Sequence, residues 1–138
     1  MIGGSDDDTL LGRVGADTLE GRDGRDFQTG GAGADRFTFG SVAESLPGAT
    51  ARDVILDMTD LDLIDLSAID PSPLGGNQAF IWLGLTTTSE LIPTGCLRGL
   101  DQGSTVIVRG NTDADPGIDF ATELRNFAGT LVSDDFVL

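Results

Sequence analysis

The sequence has 138 residues, with 23 acidic and 8 basic side chains, and therefore a formal net charge of −15. It contains no His and one Cys, so a Ser-His-Asp or Cys-His nucleophile, an imidazole-bound zinc site and an internal disulfide are all excluded. The acidity excludes a nucleic-acid partner, which needs a basic surface. No apolar run approaches the ~18 residues that cross a bilayer, so no stable membrane insertion is expected.

Four contiguous nine-residue segments occupy the start of the chain, beginning at Gly3, Gly12, Gly21 and Gly30. Every segment has Asp at its sixth position, and most have Gly at the fourth and an apolar residue at the eighth. Gly allows the backbone angles of a tight loop, and a regular apolar eighth residue indicates a short strand that faces a core. That regularity argues against the alternative, a flexible acidic linker.

The spacing of the aspartates predicts a metal site. A nine-residue half-turn places equivalent residues of every second segment one above the other, so Asp8 should stack with Asp26, and Asp17 with Asp35. Stacked carboxylates repel each other, and a dication between them reverses the sign of that interaction. Calcium accepts about 6–8 oxygens, including the main-chain carbonyls that Gly-rich loops expose. The predicted cofactor is therefore Ca²⁺.

The segments resemble the RTX calcium-binding nonapeptide, G-G-x-G-x-D-x-U-x, a parallel β-helix repeat. The resemblance implies that one loop gives its second and fourth carbonyls and its Asp, and that the loop two segments later gives its first and third carbonyls and its Asp. The first implied site consists of Gly4, Asp6, Asp8, Gly21, Asp23 and Asp26. The second consists of Arg13, Gly15, Asp17, Gly30, Ala32 and Asp35. Non-Gly residues at carbonyl positions are expected to matter little, because only their main chain is used.

The acidic period continues beyond the glycines, at Glu44, Asp53 and Asp62. It predicts a third site, formed by Arg22, Gly24, Asp26, Phe39, Ser41 and Glu44. It also predicts a fourth site, which Asp53 closes with Gly31 and Gly33. For Asp53 and Asp62, a solvated acidic surface is the alternative.

The remainder of the chain predicts further short strands. Apolar runs at 52–57, 61–66, 79–83, 97–100, 105–109, 120–124 and 135–138 are separated by Pro- and Gly-containing turns, one of them at 71–76. No segment shows a sustained helical period. The predicted fold is all-β, with a parallel β-roll of nonapeptide repeats at residues 1–40 followed by a β-sandwich-like cap at residues 41–138.

A second resemblance covers this remainder. The stretch DVILDMTDLDLIDLSAID, followed by GNQAFIWLG, a Gly-x-Leu-Arg element at residues 95–98 and NTDADPGIDF, is similar to the C-terminal domain of serralysin-type secreted metalloproteases. The resemblance implies a non-catalytic module of an extracellular protein, with the catalytic domain upstream. Met1 and Ile2 run directly into the first repeat without the stretches of a secretory leader, which is expected for a fragment of a larger protein.

The last residues predict an export signal. An acid followed by apolar residues resembles the extreme C-terminal motif of proteins exported by type I (ABC) secretion, and the residues concerned are Asp135, Phe136, Val137 and Leu138. The resemblance implies that the secretion apparatus is a partner before folding. An ordinary last strand is the alternative.

An acidic loop at residues 111–119 offers another candidate calcium site. Asn111, Asp113, Asp115 and Asp119 have the spacing of a calcium loop, but Pro116 stands where a Gly is expected and no Glu follows. An acidic turn between strands is the alternative.

Three functions of different classes follow from these features. The first is a calcium-triggered folding and secretion module. The second is a polysaccharide- or surface-binding module on an extracellular enzyme, such as an alginate epimerase, or on an adhesin; its candidate contacts are Trp82, otherwise a core residue, Arg98 and Arg109. The third is a glycosidase based on paired carboxylates, which the calcium period of the acids argues against.

Overall fold

A computed structural model describes residues 1–71 and 78–138, so the predicted turn at 71–76 lies outside the described residues from position 72 onward. Each nine-residue segment forms one strand, in the order β1 (Thr9–Val14), β2 (Thr18–Glu20), β3 (Phe27–Ala32) and β4 (Arg36–Thr38). Strand β1 pairs with β3 and β2 with β4, both in parallel, with Thr9 opposite Phe27 and Thr18 opposite Arg36. Two segments therefore make one coil, and the predicted parallel β-roll is confirmed.

The rest of the chain adds β5 (Val54–Ile55), β6 (Leu63–Asp65), β7 (Ile81–Thr86), β8 (Cys96–Asp101), β9 (Thr105–Asn111), β10 (Phe120–Arg125) and β11 (Phe136–Val137). Each strand predicted after residue 40 overlaps one of these. Within the described ranges the only helical turns are of the 3-10 type, at Val42–Glu44 and Ser133–Asp135. No helix that these ranges contain is long and apolar enough to span a membrane.

Two sheets run through the molecule. One has seven strands in the order β1-β3-β5-β10-β9-β8-β7, and the other has four in the order β11-β6-β4-β2. The roll strands pair in parallel, as do β5 with β10 and β7 with β8, while β9 is antiparallel to both of its neighbours. Both sheets combine strands from either side of residue 40, so the predicted boundary there marks a change of composition and not a break in the sheets.

The roll lengthens after its second coil. Strand β5 stacks on β3 with Val54 opposite Phe27, and β6 stacks on β4 with Leu63 opposite Arg36, which is a separation of 27 residues instead of 18. The extra nine residues leave the roll after β4 and lie against β10. There Ser45 exchanges hydrogen bonds with the main chain of Ala121, and Arg52 forms an ion pair of 2.8 Å with Glu123.

A single hydrophobic core lies between the sheets. The apolar eighth residues Leu10, Leu19 and Phe37 are buried, as predicted, and they belong to the same cluster as residues from the C-terminal strands. Trp82 packs against this cluster with its ring centroid 4.7 Å from that of Phe136, which confirms its prediction as a core residue. The core therefore ties the repeats to the last strand of the chain.

Candidate calcium-binding loops

The predicted aspartate pairs meet on the loops between the strands. The main-chain N–H of Asp8 donates to Oδ1 of Asp26 at 2.8 Å, and the N–H of Asp17 donates to Oδ1 of Asp35 at 2.8 Å. Asp26 and Asp35 thus each use one oxygen to hold the loop 18 residues earlier in the chain. This leaves the second oxygen, Oδ2, for another partner.

The second oxygens have no partner within the protein. In the part of the chain that the structure describes, Oδ2 of Asp17, Asp26 and Asp35 is buried and accepts no hydrogen bond. A buried carboxylate oxygen without a partner carries a free-energy penalty, and a calcium ion removes it because Ca²⁺ takes carboxylate oxygens as ligands. The stacked aspartates Asp17, Asp26 and Asp35 therefore fit a bound cation.

Main-chain oxygens surround the same space. A Cβ built on Gly24, Gly31 or Gly33 would lie 2.5, 2.0 or 2.0 Å from a carbonyl oxygen of the coil below, and those oxygens belong to Asp6, Arg13 and Gly15. The carbonyl oxygens of Gly21 and Gly30 would likewise lie 2.5 Å from a Cβ on Gly3 and Gly12. These carbonyls belong to the predicted first and second sites. No three His, Cys, Asp or Glu side chains gather within the described ranges, so a cation held between these loops would need main-chain oxygens among its ligands.

For four further residues that are predicted to supply carbonyl ligands, the structure gives less direct evidence of their position. A Cβ on Gly4 would lie 3.5 Å from Oδ2 of Asp8, which places Gly4 beside its predicted site. The Ala32 carbonyl already accepts the N–H of Gly15 at 2.8 Å and keeps one lone pair. Asp23 and Ser41 are exposed loop residues, and no contact places their carbonyls.

Packing explains the Gly at the first position of each segment. The Asp side chain folds back against this Gly, so a Cβ on Gly21 would lie 2.0 Å from Oδ2 of Asp26, and a Cβ on Gly30 would lie 2.4 Å from Oδ2 of Asp35. Any larger residue would displace the carboxylate that faces the site.

The second position of the last three segments has a left-handed backbone, which corrects the expectation that the residue type at this position matters little. Arg13 has φ +86° and Arg22 has φ +75°, whereas the equivalent residue of the fourth segment is Gly31, with φ +99°. A left-handed residue with a Cβ costs roughly 1–2 kcal/mol. The two arginines therefore store strain in the loops.

Arg13→Gly is expected to stabilise the calcium-loaded fold by about 0.5–1 kcal/mol, because relief of strain exceeds the added entropy of the unfolded chain. The Arg13 side chain is exposed, so little packing is lost. Thermal unfolding at saturating calcium measures the change. The control is Ala16→Gly at an exposed loop position without a positive φ; it should lower the melting temperature, and a decrease in both variants contradicts the interpretation.

The structure corrects the predicted fourth site. Because of the nine-residue insertion, Asp53 lies beside Asp26, whose N–H donates to Asp53 Oδ1 at 2.9 Å. The place beside Asp35 is taken by Asp62, whose Oδ1 accepts the Asp35 N–H at 2.8 Å. Asp53 therefore does not close a site with Gly31 and Gly33. The N–H of Gly31, and that of Gly30, instead donate to the Asp57 carboxylate.

The calcium-type arrangement ends at this coil. Oδ2 of Asp53 accepts a hydrogen bond from Nε2 of Gln28 at 3.2 Å, and Oδ2 of Asp62 accepts from the N–H and hydroxyl of Thr59 at 2.8 and 2.9 Å. Both are buried, so the alternative of a solvated acidic surface is wrong for them. At this coil, hydrogen-bond donors of the protein satisfy the Oδ2 atoms that would otherwise need a cation. The sequence analysis did not predict the roles of Asp57 and Gln28. For Gln28 a signal was available, because it is a polar residue at the eighth position, where the other segments have an apolar one.

The predicted third site is assembled in part. The Glu44 carboxylate accepts the N–H of Gly40 at 2.8 Å and lies close enough to Asp26 to raise its pKa. Phe39, in contrast, is buried in the core, and its N–H donates to the carbonyl of Asp65. Glu44 lies in the coil that the insertion enlarges, where its charge adds to the effects of burial and of Asp8 and Asp7 that raise the pKa of Asp26.

Burial and mutual repulsion perturb the acids of this coil. Burial, followed by repulsion from Asp8, Asp7 and Glu44, outweighs the hydrogen bond from the Asp8 N–H and raises the pKa of Asp26. Burial and repulsion from Asp26 and Glu44 raise the pKa of Asp53 to about 7. Without a cation, the folded state therefore favours the protonated forms of Asp26 and Asp53 more than the unfolded chain does.

In the acidic loop at residues 111–119, side-chain oxygens accept hydrogen bonds from groups of the same loop. Asp119 Oδ2 accepts from the N–H and hydroxyl of Thr112, and Oδ1 of Asn111, Asp113 and Asp115 each accepts an N–H two residues on. The Asn111 amide donates to the carbonyls of Ile92 and Asp115. These contacts favour an acidic turn over a calcium loop.

The predicted export signal is part of the sheet. Phe136 and Val137 form β11, which pairs in parallel with β6, and Phe136 is buried against Trp82. Leu138 packs on the core, and Asp135 Oδ2 accepts the N–H of Val132 at 2.7 Å. In the folded protein these residues are structural.

A parallel roll with inward aspartates and converging carbonyls defines the class of calcium-binding β-roll modules. The profile of the RTX calcium-binding nonapeptide repeat, with four copies, matches residues 2–37. The solution structure of the R3 subunit of AlgE6, a mannuronan C5-epimerase of Azotobacter vinelandii, is 31% identical, with a TM-score of 0.67 over 99% of this chain and 71% of that one. This chain belongs to the family of RTX calcium-binding repeat modules and binds calcium.

The R2 subunit of the same epimerase is 28% identical, with a TM-score of 0.46 over 100% of this chain and 91% of that one. None of the curated proteins compared with the chain matches it significantly.

Proposed function

We propose that the chain is a calcium-triggered folding and secretion module of an extracellular protein. The observation that carries the proposal is the row of buried Oδ2 atoms on Asp17, Asp26 and Asp35, which find no hydrogen-bond donor among the described residues. A fold that buries such atoms is incomplete without a cation.

Calcium binding and folding are one equilibrium in this proposal. In the absence of calcium, the stacked carboxylates repel each other, and ordering the loops costs about 1–2 kcal/mol per residue in backbone entropy. At a free calcium concentration about ten times Kd, each site contributes roughly 1.4 kcal/mol. Extracellular modules bind with Kd of about 10⁻⁴–10⁻³ M, so the chain would fold outside the cell and stay unfolded inside it.

The C-terminal residues fit this sequence of events. The proposed signal, Asp135 with Phe136, Val137 and Leu138, is accessible to a type I secretion apparatus only before β11 joins the sheet. Export would therefore precede folding, and calcium outside the cell would complete the fold.

Calcium removal tests the proposal directly. In EDTA the chain is expected to lose most of its β-sheet circular dichroism and to regain it cooperatively on addition of millimolar calcium, with several ions bound per chain by native mass spectrometry. Magnesium at the same concentration is the control, because its preference for octahedral, water-rich coordination fits these carbonyl-lined loops poorly. An identical spectrum in EDTA and in calcium contradicts the proposal.

The parent protein is proposed to be an extracellular enzyme with its catalytic domain upstream. The stretch that resembles serralysin-type domains favours a metalloprotease, and the similarity to a subunit of a mannuronan C5-epimerase favours a polysaccharide-modifying enzyme.

A second candidate function is the binding of an acidic polysaccharide. The similarity to the epimerase subunit supports it, and so does the pairing of two arginines on neighbouring strands, with Arg98 opposite Arg109. Trp82 does not belong to this surface, because its ring packs on the core.

A further inference from the structure

A crossover segment covers one face of the seven-stranded sheet. Strands β7 and β8 are parallel neighbours, so residues 87–95 must return along the sheet to begin β8 in the same direction. This segment passes over the outer face of β8 and β9, where Ser89 contacts Arg109 and Ile92 accepts a hydrogen bond from Asn111. The outer face holds the arginines, and the opposite face holds Leu97 and the core.

Arg109 lies beneath this segment with most of its hydrogen-bonding capacity unused. The residue is only 7% exposed, yet its Nε and Nη2 have no partner among the described residues. Its Nη1 donates to the hydroxyl of Ser89 at 3.2 Å. An arginine has five N–H donors and remains charged, so this site lacks an acceptor that carries negative charge.

The charge around Arg109 is unusual for such an acidic chain. Four other arginines, within the described ranges, form ion pairs with acids: Arg22 with Glu20, Arg36 with Asp65, and both Arg52 and Arg125 with Glu123. Arg109 has no such pair, and the residue opposite it on β8 is a second arginine, Arg98. Arg98 is paired with Glu90, whose side chain is 55% exposed. Of these two neighbouring guanidinium groups, only that of Arg98 is paired with an acid, and that acid is the exposed Glu90 of the crossover.

We propose that Arg98 and Arg109 form a carboxylate-binding site for an acidic polysaccharide, which Glu90 fills in the free protein. Displacement of Glu90 from Arg98 by a sugar carboxylate would release the crossover segment that covers Arg109, and the buried Nε and Nη2 of Arg109 would then donate to the same carboxylate. Guanidinium groups bind carboxylates through paired, charge-assisted hydrogen bonds. The proposal rests on the second candidate function and not on the calcium-triggered folding.

Binding of oligomannuronate to the calcium-loaded chain, measured by isothermal titration calorimetry, tests the site. Glu90→Gln removes the internal competitor, so it should lower Kd about two- to fivefold, the value of one exposed ion pair. Arg98→Gln and Arg109→Gln should each raise Kd about tenfold or more, because each removes a charged donor. The control is Glu20→Gln, which makes the same charge change at the distant pair with Arg22 and should leave Kd unchanged.

The possible results distinguish failure of the Arg98–Arg109 site from failure of polysaccharide binding or of calcium-dependent folding. Circular dichroism in calcium shows whether each variant is folded, and Glu90→Gln keeps the test valid if Arg109→Gln does not fold. Equal Kd values in all variants, or equal binding of a carboxyl-reduced oligomer, overturn the site while leaving polysaccharide binding in place. No binding to the wild-type chain overturns both, while calcium-dependent folding stands.

Discussion

Asp26→Asn is expected to raise the calcium concentration at the folding midpoint by about tenfold or more, because calcium affinity depends on the number of charged ligands. Asp26 contributes to two predicted sites, the first with Asp8 and the third with Glu44. Its Oδ1 also holds the main chain of Asp8, and the Asn side chain keeps an oxygen for that hydrogen bond. The substitution therefore removes the charge at Oδ2 with little change in shape. A calcium titration followed by circular dichroism measures the midpoint.

Asp134→Asn is the matched control, since it makes the same change in net charge at an exposed residue far along the chain from the roll. Its midpoint should equal that of the wild type. Equal midpoints for Asp26→Asn and Asp134→Asn would show that Asp26 does not bind calcium.

Acid is expected to stabilise the metal-free fold. Burial and the neighbouring acids raise the pKa of Asp53 from 3.8 to about 7, so the folded state binds this proton more tightly than the unfolded state does. The metal-free fold is then most stable below about pH 4 with respect to this group, and it loses stability as the pH rises toward 7. A shift of about three units corresponds to about 4 kcal/mol. In EDTA, β-sheet circular dichroism should therefore increase when the pH is lowered from 7.5 to 5.

Asp53→Asn assigns this effect. The new amide can donate to Oε1 of Gln28, which has no partner among the described residues, and its oxygen can still accept the Asp26 N–H. The variant should be more stable than the wild type in EDTA at pH 7.5 and should depend less on pH. If its pH dependence is as steep as that of the wild type, the titration belongs to other acids.

The geometry of the first two sites follows from the sequence because it is local. The nine-residue period fixes the half-turn, the eighth residue fixes which side faces the core, and the sixth residue is then carried to the loop. Asp8, Asp17, Asp26 and Asp35 therefore stack as predicted. The short strands after residue 40 are also predictable, since turn residues separate their apolar runs.

The enlarged coil could not be predicted in this way. The acidic period continues through Glu44 and Asp53, but the insertion leaves the roll because Ser45 and Arg52 bind β10, a strand about 70 residues further on. Such pairing depends on long-range contacts that no local pattern encodes. The same holds for Asp53, because its Oδ2 accepts a hydrogen bond from the side chain of Gln28 in place of binding a metal.

The position of β11 has a kinetic consequence. The final strand closes the four-stranded sheet beside β6, with Phe136 opposite Ile64, so residues 72 positions apart must find each other. Contacts so distant along a chain form late and slowly, because the loop must be closed before the pairing stabilises it. The repeats can wind while β10 and β11 are still free, because β10 pairs with β5 and β11 with β6 across about 70 residues of chain. Completion of both sheets therefore waits for the C-terminal strands.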